Sequence, residues 1–110
     1  MKYVVAGTFQ DCDVNVINYE ISKLSTSEII VGDLVTSDDV KQWADCCGRP
    51  KTEFHLDFDQ DKFSALQMMS FRMVLYADGV IIFNDNTQHH KSLLKECMLQ
   101  SKPVIDHRRK

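Results

Sequence analysis

The sequence predicts a three-layer, Rossmann-like α/β fold: a five-stranded, mostly parallel sheet in the order 3-2-1-4-5 with helices on both faces. Three observations carry this. The continuous apolar runs "KYVVAG", "EIIVG" and "VIIF" have the character of strands buried on both faces. Stretches with helical hydrophobic spacing separate them. Glycines mark the junctions: Gly7 and Gly32 close strands, and Asp78-Gly79 ends a helix. Strands alternating with helices imply parallel pairing through right-handed crossovers.

"KYVVAG" is the first strand. The first helix follows in "DCDVNVINYEISKLS", where Val14, Ile17, Ile21 and Leu24 recur at helical spacing and Asp11 suits the N-cap. "EIIVG" is the second strand. In "TSDDVKQWADCCG", Ser37 or Asp38 caps a second helix with Val40, Trp43, Ala44 and Cys47 on one face and Gly48 as its stop. "TEFHL" after Pro50 is a short third strand. The acidic turn "DFDQD" follows, with Asp61 as a cap, and then a helix from Lys62 to Ala77. "VIIF", a helix over His89–Gln100 and the strand "PVID" complete the chain.

The third helix is expected to put Phe63, Leu66, Met73, Val74 and Ala77 against the core. Met68, Met69, Phe71 and Leu75 lie elsewhere around it. A helix apolar nearly all round is buried on more than one side, and methionine-rich faces suit a partner. A homo-oligomer formed through this helix is therefore expected.

The 110 residues make one domain, with no repeat or linker. A net charge of −3 and a pI near 5.7 give no field favouring nucleic acid. The basic tail "DHRRK" reads as a solvated terminus. No apolar run reaches the ~20 residues of a membrane span, and the N-terminal segment reads as a strand rather than a signal peptide. Four cysteines without zinc or Cys-x-x-Cys spacing point to a reducing cytoplasm, with Cys47 and Cys97 as small core residues.

In such sheets ligands sit beyond the strand C-termini, where the chain order reverses between strands 1 and 4. Three loops converge there: Gly7–Gln10, Gly32–Ser37 and Asn84–Gln88. Three segments around them, "VVAGTF", "LDFDQDKFSALQMMSFRMVLYADGVIIF" and "NDNTQHHKSLLKECMLQSKPVI", together resemble the SLOG superfamily of Rossmann-like domains related to the Lonely Guy and DprA proteins. The likeness is greatest to its small YspA-like members. The resemblance implies binding of a nucleotide or nucleotide-derived ligand. Met69 and Ser70 stand where the family has an Arg-Asn pair, and His89 and His90 stand where its last loop has Gly-Thr. No acid stands at the spacing of the family's catalytic Glu, so binding without hydrolysis is the expectation.

The residues expected to hold that ligand are Gly7, Thr8 and Phe9 (the last stacking on a base), Gly32 and Asp33, Arg72 as a phosphate partner, and Asn84, Asp85, Thr87 and His89. The fourth helix would offer its N-terminus to an anion near Thr87 or Gln88, with Asn86 or Thr87 as the alternative N-cap. No cofactor or metal is expected. His89 and His90 are successive rather than at i, i+3 or i+4 spacing, and His55 and His107 are scattered. Two further readings are an interaction domain with a decayed pocket that works through its methionine-rich helix, and a nucleotide glycosidase or deoxyribosyltransferase-like enzyme using Asp33 or Asp85.

Overall fold

The computed structural model describes residues 1–10, 12–57, 59–85 and 87–108. The strands Lys2–Ala6 (β1), Glu28–Gly32 (β2), Lys51–Phe54 (β3), Gly79–Ile82 (β4) and Val104–Asp106 (β5) form one parallel sheet in the order β3-β2-β1-β4-β5. This is the predicted order. Helices Asp13–Lys23 (α1), Asp38–Cys46 (α2), Lys62–Tyr76 (α3) and His90–Leu99 (α4) fill the connections. No helix is long and apolar enough to cross a membrane among the described residues.

Alternation along the central strands splits the core in two. Tyr3, Val5, Ile29, Val31, Ile81 and Phe83 pack under α1 and α2, with Ile17, Ile21, Val40 and Ala44. Val4, Ala6, Ile30, Val80 and Ile82 pack under α3 and α4, with Leu66, Met69, Met73, Leu93 and Cys97. Burying each large side chain contributes roughly 1.5–3 kcal/mol. β1, β2 and β4 are apolar on both faces because helices cover both.

Three expectations about helix faces need correction. Val14 is 40% exposed, while Asp13 and Glu20 are buried beside Ile17 and Ile21. Asp13 belongs inside because its carboxylate accepts the backbone N–H of Gln10 at 2.7 Å, closing the first turn. Phe63 is 67% exposed, because the inward stripe of α3 begins only at Ala65 and Leu66. Met69 faces the core at 2% exposure, three residues from Leu66 and four from Met73, and so leaves the outward group. Met68, Phe71 and Leu75 do point outward.

Asp61 caps α3, its side chain accepting the Ser64 N–H at 3.1 Å, and Ser37 precedes α2 in the N-cap position. Gly48, past the end of α2, has φ +76°. Cys97 is buried and Cys47 half-buried. Asp11 and Asn86, named above as cap candidates, and the last two residues of the basic tail lie outside the described residues.

Candidate functional site

β1 lies between β2 and β4, so the loops after these three strands meet at one end of the sheet. Gly7 turns there with φ +93°, and a Cβ on it would stand 2.4 Å from the Phe83 carbonyl oxygen. Only glycine meets both demands. The close approach brings backbone to backbone. Gly7 N–H donates to Val35 O at 2.8 Å, Thr8 N–H donates to Asn84 O at 2.7 Å, and Ser37 N–H donates to Gly7 O at 3.1 Å. The amides that could have faced a phosphate are thus spent on neighbouring loops.

Thr8 is exposed and Phe9 half-buried. The Phe9 ring meets Trp43 and Phe83 edge-on, at centroid distances of 5.7 and 5.2 Å. Its N–H donates to Asp39 Oδ2 at 3.2 Å. Phe9 therefore closes the top of the α1–α2 core. Phe83 beneath it carries the His107 ring on its face, at 5.4 Å and 20°.

The loop after β4 is organised by Asp85, whose side chain is only 8% exposed. Oδ1 accepts the Thr87 N–H at 2.9 Å and the Thr87 hydroxyl at 2.5 Å. Oδ2 accepts the His90 N–H at 3.1 Å and faces His90 Nδ1 at 3.2 Å. A carboxylate thus sits at the N-terminus of α4, where free amides and the helix dipole attract an anion. Burial alone would raise the Asp85 pKa; the hydrogen bonds from Thr87 and His90 outweigh it and hold the carboxyl below its usual range.

The protons on His90 follow from its partners. Arg108 Nη1 lies 2.9 Å from His90 Nε2, and a guanidinium can only donate. Nε2 is therefore an acceptor, and the ring donates from Nδ1 to Asp85. Arg108 in turn grips Asp106 through Nε and Nη2, at 2.7–3.1 Å. The result is a continuous chain, Asp85–His90–Arg108–Asp106, that fastens the end of β5 to the start of α4.

His89 bridges two walls of the crevice. Its Nδ1 lies 2.9 Å from the Thr87 hydroxyl oxygen and 3.3 Å from Leu34 O. The Thr87 proton goes to Asp85, so His89 donates from Nδ1. Leu34 and Gln88 hold left-handed backbone, with φ of +66° and +61°. Asn84 adds a side-chain bond to Gln10 at 3.2 Å.

Gly32 is buried, and a Cβ there would stand 2.6 Å from Met73 Sδ. Its N–H donates to Thr36 Oγ1 at 3.1 Å, and that hydroxyl donates to Val5 O at 2.9 Å. Asp33 turns toward β3: it accepts the Leu56 N–H at 3.1 Å and lies 3.3 Å from His55 Nδ1. Burial would raise its pKa, but Leu56, His55 and Lys41 together lower it. Arg72 stands apart. It is exposed ten residues into α3, about 15 Å along the axis at 1.5 Å per residue.

Of the residues singled out by sequence, the structure brings Gly7, Thr8, Asn84, Asp85, Thr87 and His89 together. Phe9 and Gly32 serve the packing beneath, Asp33 belongs to a separate cluster, and Arg72 is remote. Sequence reasoning left His90 out of the site residues and had no signal for the roles of Arg108 or the link between Leu34 and His89. Asp85 precedes His90 by five residues, outside the usual cap spacing, and Arg108 reaches it only because β5 lies beside β4.

Two concavities lie on the α3 side. One, of about 280 Å³, is lined by Leu34, Leu56, Asp57, Gln60, Lys62 and Ala65. The other is an open groove of about 420 Å³, lined by Gln60, Ser64, Gln67, Met68, Phe71 and Glu96. No family model, curated protein or solved structure matches the chain.

Proposed function

We propose that this chain is a protein-interaction module that pairs with a second copy of itself through the outer surface of α3 and α4, and that its switch-point crevice is a structural closure. The observation that carries this reading is the set of large apolar side chains left in solvent on those two helices. Phe63, Met68, Phe71 and Leu75 on α3 are 41–67% exposed, and Met98 and Leu99 on α4 are 79% and 67% exposed. At 100° per residue, Met68, Phe71 and Leu75 fall within an arc of roughly 60°.

α3 and α4 lie side by side, joined by the Ser70–Ser92 hydroxyl bond at 2.7 Å. In the groove lined by Met68 and Phe71, Glu96 is the one charged lining residue. A lining that is neutral or apolar apart from Glu96 favours a copy as the occupant, because a two-fold contact sets a patch against itself and leaves only the Glu96 pair to repel. Exposed apolar surface of this kind marks association sites, and methionine packs well against a partner. The crevice supports the same reading from the other side: Asp85 stands in the anion position, and the amides of Gly7 and Thr8 are bonded to the chain's own carbonyls.

Methyl resonances of the five methionines test it. Met68 should shift or broaden as the protein is concentrated, while Met69 and Met73 stay fixed. Uniform insensitivity of all five would refute pairing through this face.

A second reading keeps the nucleotide-type ligand that the SLOG resemblance implies, without catalysis. It rests on the cavity of about 280 Å³, with Leu34, Leu56 and Ala65 as apolar walls and Lys62 as a cation at its rim. A rise in melting temperature with mononucleotides, abolished by Ala65→Trp, would establish it over the first.

A further inference from the structure

At the β2 and β3 strand ends, on the α2 side, Asp33, Glu53 and His55 form a cluster that belongs to neither the crevice nor the apolar face. Their ligand-type atoms all lie within 4.8 Å of one another. The topology explains the convergence. Glu53 and His55 are two apart, so they point to the same face of the β3 edge, and Asp33 follows Gly32, which pairs with Phe54 between them. Asp33 N–H donates to Phe54 O at 3.1 Å and fixes the register past the strand end.

We propose that Asp33, Glu53 and His55 form a binding site for a divalent transition-metal ion of the zinc class, at a place where the Lys41 ammonium meets the two carboxylates. Each carboxylate turns one oxygen to a common point. Asp33 Oδ2 accepts the Leu56 N–H at 3.1 Å, and Glu53 Oε2 lies 3.8 Å from Lys51 Nζ. Asp33 Oδ1 and Glu53 Oε1 lie 3.6 and 3.2 Å from Lys41 Nζ. The ammonium therefore marks where these two oxygens meet, and where a cation is attracted.

His55 completes the donor set with the nitrogen that zinc-class ions prefer to an all-oxygen site. Its Nδ1 is 3.3 Å from each Asp33 oxygen, close to the roughly 3.4 Å between two ligands around a tetrahedral zinc at ~2.1 Å. Three protein ligands leave a coordination position for water. The Leu56 N–H bond is an outer contact of the kind that holds a ligating carboxylate in orientation. A lysine on a flexible stem is a displaceable cation, so Lys41 weakens the site without dismantling it.

The test uses the full chain, stripped with chelator, equilibrated with excess zinc and desalted. Retained zinc should approach one ion per chain and raise the melting temperature. His55→Ala, made at a side chain that is 63% exposed and checked for an intact fold by circular dichroism, should weaken binding at least ~10- to 100-fold. Lys41→Met should strengthen it, an effect that a purely structural ion pair does not produce. Cobalt in place of zinc should give a visible ligand-field spectrum without a thiolate charge-transfer band. The proposal is overturned if no zinc is retained, if His55→Ala binds as well as the parent, or if a thiolate band places the metal on the cysteines.

Discussion

Asp85 and His90 are bonded twice: one carboxylate oxygen accepts the backbone N–H of His90 at 3.1 Å and faces its ring Nδ1 at 3.2 Å. This pair ties the loop after β4 to the first turn of α4, and through Arg108 it reaches the end of β5. The place that a helix N-terminus offers to an anion is thus filled from within the chain. Several outcomes depend on that relationship.

Asp85→Ala should lower folding stability by about 2 to 3 kcal/mol, measured by urea denaturation, because it removes the charge-assisted hydrogen bonds from the Thr87 N–H and hydroxyl and the His90 N–H together. Thr87→Val, which keeps the backbone contact and loses the hydroxyl, should cost about 1 kcal/mol. Equal stability of Asp85→Ala and the parent would remove Asp85 from its organising role.

Asp85→Gly should open the anion position at the α4 N-terminus. Inorganic phosphate should then raise the melting temperature of the variant more than that of the parent chain. If phosphate stabilises the parent as strongly, the carboxylate is not occupying that place.

Acid should weaken the fold through the same network. Asp85 is lowered by the Thr87 and His90 bonds against the effect of burial, and Asp106 chiefly by the Arg108 guanidinium. Both carboxyls hold protons less readily folded than unfolded, where the ordinary value is 3.8. Their contribution is therefore present above that value and is lost as pH falls from it through the depressed folded values. Asp85→Asn should flatten this acid limb in denaturation curves collected across the range.

Gly7→Ala should destabilise by about 3 kcal/mol or more, since the side chain meets both a left-handed backbone and the Phe83 carbonyl 2.4 Å away. Phe9→Ala should change the emission of Trp43, the chain's one tryptophan, by removing the edge contact at 5.7 Å. Unchanged emission would mean that Phe9 does not cover the α1–α2 core in solution.

Much of the fold was legible because burial on both faces leaves a strong signal. β1, β2 and β4 read as unbroken apolar runs, and their alternation with helices implied parallel pairing. Helix faces were less legible near their starts. Val14 and Phe63 fit a periodic stripe, yet the first turn of each helix carries other needs, such as the Asp13 bond to Gln10. Met69 was misassigned because α3 is apolar on several arcs, so periodicity alone could not separate inward from outward methionines.

The loops after β1, β2 and β4 do meet in space, but their chemistry was not readable from residue types. Asn84, Asp85, Thr87 and His89 look like ligand contacts in sequence; in space they bond to one another, to Leu34 and to the neighbouring turn. The meeting of His55 with Asp33 is likewise a product of strand register, which a linear reading of scattered histidines does not contain.

The most direct test of the interaction reading is the mass of the chain in solution, by sedimentation equilibrium, for the parent and for Phe71→Glu. The account predicts a parent species at twice 12.7 kDa that dissociates on dilution, and a folded Phe71→Glu monomer. A parent chain that stays at 12.7 kDa across the concentration range, or a Phe71→Glu variant that pairs as the parent does, would contradict it.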